Sequence, residues 1–433
     1  MNPPIPTSSA APTPGTAGIP YDAMSSKIVT GVGGVHTGAF LKYSLAGDPT
    51  VNCLSWTGLQ DVKVSALPPT IGWSGDPVVA SIGKQLIYAD TTTGGGPVTI
   101  KEIYGQNVVA TFQMGNINNR HPIALVTSNG GCLVFSYRHQ PTDNLEVDVA
   151  YRSSAGSWSI QMFSFTYAPI IPSVNMTAQQ GTDGHIYLFI ARDSSHRISL
   201  ARFSELGDTI ELMDFDLSFL YQYDGVLAPH GEHPHPSSCV DVSKKRILLS
   251  YTTWNNGDIH CDEIVSRAVI AAIGTDKSKT LVGLSNLWIR RVYPPAWVFP
   301  TTSGADLFQY HINKDSCGTK GWRMSRFIGN QITDDAELIA GPSDLTASSD
   351  GFVLYGEADR TLTLATVALT GAIPKLHIKR HQGGVELIVE GDATGFVIES
   401  APKLDGPWSL MGPAVSQVVP VDRDSRFFRL TKQ

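Results

Sequence analysis

The sequence predicts an all-β protein: a seven-bladed β-propeller followed by a small C-terminal β-sandwich. Three observations predict it. Charged residues are only 16% of the chain while hydrophobic residues are 42%, and long helices normally need Glu, Lys and Arg on their wet faces. The chain carries 41 Gly and 27 Pro, which make turns and break helices. A unit of short apolar run, turn, alternating run, polar loop and second alternating run also recurs roughly every 45 to 60 residues, the length of a four-stranded propeller blade.

Residues 1–20, MNPPIPTSSAAPTPGTAGIP, are rich in Pro, Ser, Thr and Ala and read as a flexible arm. They lack the basic start and apolar core of a secretory signal. Residues 21–374 hold the repeat. Its middle runs are AFLKYSL, QLIYAD, CLVFSYR, HIYLFIA, RILLSYT, DLFQYHI and FVLYGEA. Most follow a turn: SIGK, SNGG, TDGH, VSKK, TSGA or SSDG. The partner runs are VTIKEIY, EVDVAYR, ISLARFS, EIVSRAV, WRMSRF and TLTLATV. The first unit has the poorest turn signal and is expected to combine with a late strand to close the ring. A stack of sandwich domains would need Pro/Gly linkers about every 100 residues, and none interrupts this region. Residues 375–433 alternate strongly around their own Gly turns and read as the separate C-terminal sandwich.

Net charge is −7 with no Lys/Arg block, which argues against nucleic acid as a partner. No apolar span is long enough for membrane insertion. The five cysteines, Cys53, Cys132, Cys239, Cys261 and Cys317, share no metal-ligand spacing and form no disulfide framework. Cys132 and Cys239 fall within strand patterns, where a free thiol acts as a small hydrophobe.

The stretch RHPIALVTSNGGCLVFSYRH, residues 120–139, has a histidine near each end of one hairpin. Residues equidistant from a turn face each other, so a turn centred on Gly130 predicts His121 opposite His139 at the open end. The same arithmetic brings Arg192 to the open end of the fourth unit, and His233, His235, Thr253 and Trp254 to that of the fifth. It brings Trp297 and His311 there in the sixth, and Trp73, Asp76 and Asp90 in the second. First hairpins of a propeller open toward one face, so these groups converge on a channel mouth and suit a polar ligand. Indoles suit the apolar faces of sugars, and Arg suits carboxylates. In APHGEHPHPSS, His233 and His235 alternate along an extended chain and project to one side. With His230 or Glu232 they would make a divalent-metal site; no cofactor is otherwise required.

HPIALVTSNGGCLVFSYRH followed by DVAYRSSAGSW resembles the BNR-repeat propellers related to sialidases. It is nearest the branch that includes propeller-type polysaccharide lyases and some rhamnosidases. The resemblance rests on His121, Pro122, Gly130, His139, Tyr151, Arg152, Ser153 and Trp158. TDGHIYLFIAR and HPSSCVDVSKKRILLSYT resemble the two blades that follow. The sialidase Asp-box is degenerate at SSAGSWS and no arginine triad can be placed, so sialidase activity is not implied. The lyase branch implies a charged groove on one face, with a His or Tyr base beside a uronate carboxylate that Arg or His neutralises. Carried onto this chain, His121 or His139 is the base, Arg192 the carboxylate partner, and Tyr251 or Tyr223 the phenol. The tail pattern FVIES…GPW…FFRL resembles short C-terminal modules of large secreted bacterial proteins.

The expectation is a glycan-recognising propeller on a virion (phage tail or capsid) or another extracellular assembly, folded in the cytosol without a recognisable signal peptide. Its partners would be an acidic or neutral polysaccharide and other virion or surface-assembly proteins. The alternative is a polysaccharide lyase that cleaves a uronic-acid polysaccharide by β-elimination.

Overall fold

The computed structural model describes residues 13–14, 18–44, 47–74, 76–91, 96–115, 119–139, 144–166, 175–181, 183–191, 197–216, 237–241, 246–260, 263–274, 279–284, 289–290, 297–300, 304–312, 320–328, 331–340, 345–348, 351–357, 359–367, 375–381, 384–390, 396–402, 408–413, 417–420 and 427–432. Among them there is no α-helix, only one turn of 3-10 helix at Val32–Gly34, and no helix is long and apolar enough to cross a membrane. Up to residue 367 the strands form seven antiparallel sheets, each a meander of strands consecutive in the chain. They span residues 23–66, 78–114, 119–166, 175–216, 237–290, 297–340 and 345–366, here called blades 1 to 7. The middle and partner runs read from the sequence are the second and third strands of these sheets; in blade 3 they are Cys132–His139 and Asn144–Arg152.

A meander of twisted strands buries both faces only by stacking against neighbours, and the blades do so in succession. Leu41, Cys53 and Leu67 of blade 1 pack with Val79, Tyr88 and Ile103 of blade 2. Ile87 and Ile100 of blade 2 pack with Cys132 and Val134 of blade 3. Phe135 and Phe163 of blade 3 meet Leu188 and Phe203 of blade 4. The first strands of blades 4, 5 and 6 lie side by side in that order. Trp297, Phe308 and Trp322 of blade 6 pack with Leu345 and Val353 of blade 7. Phe40, Leu54 and Trp56 of blade 1 meet Phe352, Leu354 and Leu364 of blade 7. The succession therefore returns to its start, which is the arrangement of a β-propeller.

Closure differs from the expectation. Blade 1 is a complete four-stranded sheet, and it is blade 7 that lacks a chain-consecutive outer strand. Thr13–Pro14 and Ile19–Pro20 fill that place by pairing with Thr361–Thr366, Thr13 opposite Thr366 and Ile19 opposite Leu362. The Pro-rich arm thus supplies strand residues. Proline suits an outermost strand, where a missing N–H costs no ladder bond.

Several hairpin turns share one geometry. In blade 3 the Thr127 N–H donates to the Gly131 carbonyl at 2.9 Å and the Gly130 N–H to the Thr127 carbonyl at 2.9 Å, with Gly130 at φ 84°. This is a three-residue loop with a left-handed fourth position, where glycine meets no Cβ penalty. Gly156, in the degenerate Asp-box SSAGSWS, repeats it at φ 94°.

Residues 375–432 form two three-stranded sheets. They face each other across Leu387, Ile398 and Val419, with Leu376 and Phe428 alongside, as a sandwich.

Candidate functional site

Each blade has a turn end and an open end, and the open end carries the sequence candidates. In blade 3 the first strand runs from Asn119 to Val126 and the second from Cys132 to His139. His121 therefore lies near the entry of the hairpin and His139 at its exit. They are not paired. Val126 faces Cys132, so the hairpin centre is residue 129, and the register then shifts between Arg120 and Ile123. Ile123 faces Phe135 and Arg120 faces Tyr137, leaving His121 and Pro122 together across from Ser136. Proline cannot donate to a ladder and settles in such a bulge. His139 is three residues beyond Ser136, an offset of about 10 Å along the strand.

Blade 5 carries Tyr251 and Trp254 past the end of its first strand, whose initial residue Ser237 pairs with Ser250. Their strand, Arg246–His260, pairs with Glu263–Gly274 along a hairpin that overhangs the blade: Tyr251 faces Val269, Trp254 faces Ser266 and His260 faces Glu263. Ile289–Arg290 braces it by pairing with Val265 and Ser266. The sequence sign of this overhang is the unusual length of RILLSYTTWNNGDIH, whose Asn256-Gly257 falls where the register shifts between Trp254 and Ile259. In blade 6, His311 faces Gly321, one residue from the open end of Gly304–Ile312. Arg192, His233, His235 and Tyr223 lie outside the described residues, as do His230 and Glu232, so the metal-site expectation falls there too. Among the described residues, no group of three His, Cys, Asp or Glu is placed to hold a metal ion.

Two predicted tryptophans part company. Trp297 is buried, its ring centroid 5.6 Å from that of Trp322 and 6.2 Å from that of Phe308. It is a packing residue between blades 6 and 7 and presents no face to a ligand. Trp73 is half-buried, in the segment that enters blade 2, with its packed side against the blade 1–blade 2 core.

That entry segment is tightly held. The Lys101 Nζ donates to the Thr70 carbonyl at 2.6 Å and the Tyr88 hydroxyl to the Gly72 carbonyl at 2.5 Å. The Ser74 N–H and hydroxyl both donate to Asp90 Oδ2 at 2.9 Å, and the Thr91 N–H donates to Asp90 Oδ1 at 2.8 Å. Burial pushes the Asp90 carboxyl above the usual carboxylate range, against these hydrogen bonds. Burial, then the Asp90 charge, pushes the Tyr88 hydroxyl up as well.

Asp76 reaches back to blade 1. It accepts from the Ser25 hydroxyl at 3.0 Å, the Ser26 N–H at 2.8 Å and the Ser26 hydroxyl at 2.5 Å, and pairs with Lys27 Nζ at 2.7 Å. Burial pushes its carboxyl up, but the Lys27 charge and the donors outweigh burial and hold it at about 2. Ser25, Ser26 and Lys27 form an irregularity in the first strand of blade 1, between Met24, which faces Phe40, and Ile28, which faces Gly38.

The signature Tyr151, Arg152, Ser153 and Trp158 lies at the turn end, away from this face. Arg152 is buried and donates through Nε to Glu102 Oε1 at 2.6 Å and through Nη2 to Gln85 Oε1 at 2.6 Å. The Trp158 indole N–H donates to the same Glu102 oxygen at 2.6 Å, and its ring lies 5.0 Å from Phe112. These residues lock blade 3 to blade 2. Arg138, unmarked by sequence reasoning, is buried at the open end of blade 3, 3.0 Å from Asp148 and 3.3 Å from Glu146.

No protein-family model matches the chain, and no curated protein matches it.

Among solved structures, it is similar to the Kuenenia stuttgartiensis hydrazine synthase at 11% identity and a TM-score of 0.46, covering 82% of this chain and 97% of that one. It is similar to a GH43 β1,3-galactosidase at 10% identity and a TM-score of 0.37, covering 98% of this chain and 94% of that one. It is also similar to the flat-faced bat subtype N11 neuraminidase-like protein at 10% identity and a TM-score of 0.37, covering 82% and 97%.

Proposed function

We propose that this chain is a glycan-binding propeller whose open-end face takes the sugar. One observation carries the proposal. His121 and His139 of blade 3, Tyr251 and Trp254 of blade 5, His311 of blade 6 and the Trp73 loop of blade 2 all occupy the same end of their sheets. Aromatic and hydrogen-bonding residues from several blades gathered at one rim are what a polyhydroxyl ligand needs.

The sequence likeness of blades 3 to 5 to BNR repeats supports a sialidase-related ring; display on a virion or other surface assembly is a separate part of the proposal, which co-purification with particles tests.

The experiment is a glycan array probed with the full chain, repeated with Trp254→Ala and with Tyr251→Phe. Saccharide binding that Trp254→Ala weakens is the expected result. An array without a bound glycan overturns it, and an unsaturated uronate product from an acidic polysaccharide replaces binding with lyase chemistry.

A further inference from the structure

Resting on that reading, we infer that Thr70–Ser74 is a preorganised stacking subsite for a neutral pyranose ring, with Trp73 as the platform and Asp90 as a positioning residue. The first support is what the other tryptophans do. Among those whose side chains are described, Trp56 stacks with His36 and meets Phe352 edge-on, Trp297 and Trp322 pack together, Trp158 bonds Glu102, and Trp408 lies 4.2 Å beneath the Arg429 guanidinium. Trp73 alone of this set has neither a ring partner nor a hydrogen-bond partner, and it is half-buried. An indole combines a broad apolar face with one N–H donor, the complement of a sugar ring's C–H face and its hydroxyls.

Rigidity is the second support. The segment is pinned at Thr70, Gly72 and Ser74 by Lys101, Tyr88 and Asp90, and Ile71 between them is buried. A platform ordered before the ligand arrives loses little entropy on binding. Asp90 touches no ligand in this scheme. It fixes the residue next to Trp73 through both donors of Ser74.

Charge selects the ligand class. Asp76, two residues beyond Ser74, is ionised and already satisfied by Lys27 at 2.7 Å. Arg138 at the open end of blade 3 is likewise matched by Asp148 and Glu146. A uronate at Trp73 would meet the Asp76 charge with the nearby Lys27 already committed. A neutral ring has no such cost.

The test titrates the full chain with a panel of neutral oligosaccharides (glucan, galactan, mannan and xylan fragments) and of oligouronates, read by tryptophan fluorescence and calorimetry. A neutral oligosaccharide should bind, and Trp73→Leu, which keeps the packed side filled, should weaken it about tenfold or more. Trp73→Phe should recover part of the loss. Asp90→Ala should weaken binding while Asp90→Asn, which still accepts from Ser74, retains most of it. Unchanged affinity in Trp73→Leu overturns the subsite while leaving the glycan reading intact. Preference for oligouronates overturns the assigned class, and absence of binding by any saccharide overturns subsite and glycan reading together. Thermal unfolding of each variant confirms its fold; should Trp73→Leu not fold, protection of Trp73 in the native chain from indole oxidation by the bound oligosaccharide gives the same decision.

Discussion

Asp76 and Ser26 join two blades through a double contact, the carboxylate accepting both the Ser26 N–H at 2.8 Å and its hydroxyl at 2.5 Å. The Thr346 hydroxyl of blade 7 donates to the carbonyl of the same Ser26 at 2.9 Å. One residue of blade 1 thus ties together the two blades that flank it. Asp76→Asn removes the charge opposite Lys27 and should destabilise the fold by about 1–3 kcal/mol. The sign with pH follows from a folded value of about 2 against an unfolded value of about 3.9. The stabilisation is complete above the unfolded value and lost as pH falls through the folded one. Urea midpoints measured from neutral pH down to about 2 should therefore fall more steeply for wild type than for Asp76→Asn; parallel profiles would mean that the clamp contributes nothing.

Gly356 is required by its neighbour. A Cβ there would collide with the hydroxyl of Tyr21, which is buried in the blade 7–blade 1 core. Gly356→Ala should cost about 1–3 kcal/mol through overpacking. Adding Tyr21→Phe removes the worse of two collisions, the ring Cζ remaining 2.5 Å from the added Cβ, and should restore part of the loss, so a double-mutant cycle on thermal stability ought to show favourable coupling.

Glu102 serves two donors in a buried place, Arg152 Nε and the Trp158 indole N–H. Glu102→Ala strands a buried guanidinium and is expected to cost about 3–5 kcal/mol. Glu102→Gln keeps an acceptor and should cost less. Equal losses in chemical denaturation would show that cavity formation, and not the ion pair, sets the effect.

Cys53 and Cys132 are buried, and burial pushes both thiols up to about 12, for Cys132 against the opposing charge of Arg152. The thiolate is the reactive form. Peptide mapping after alkylation of the native protein at pH ~8 should find both unmodified and, after unfolding, both labelled. Rapid native labelling of either would show that the blade 1–blade 2 or blade 2–blade 3 packing opens readily.

The second and third strands of the blades were legible because they alternate and follow glycine turns: CLVFSYR and EVDVAYR became Cys132–His139 and Asn144–Arg152. The register at the mouth of that hairpin was not. Counting from Gly130 misplaces the centre, which Val126 opposite Cys132 puts at residue 129; that slips the pairing by two residues, and the bulge at His121 and Pro122 adds one more. Trp297 and Trp73 look alike as single aromatics beside a strand, but which one a neighbouring blade covers depends on packing partners far away in sequence. The network around Trp73 was only half visible. Asp90 stood out as a rim carboxylate, while Tyr88 and Lys101 lie within QLIYAD and VTIKEIY, runs that show only strand alternation. The closing strands were hidden for a further reason: TP and IP carry no strand signal, and their partner lies at the other end of the propeller.

Thr13 meets Thr366, so the first of the described strand residues wait for the last strand of the ring before they find a place. A nascent chain emerging from the ribosome can stack six sheets in order, but the seventh stays one strand short until both parts are available. That late step closes a very long loop, which places its cost in the search rather than in the finished contact. Substitutions in the Thr13–Pro20 segment should therefore slow the arrival of the native ring more than they loosen it once formed, and a segment of few contacts would govern the yield of folded protein during synthesis.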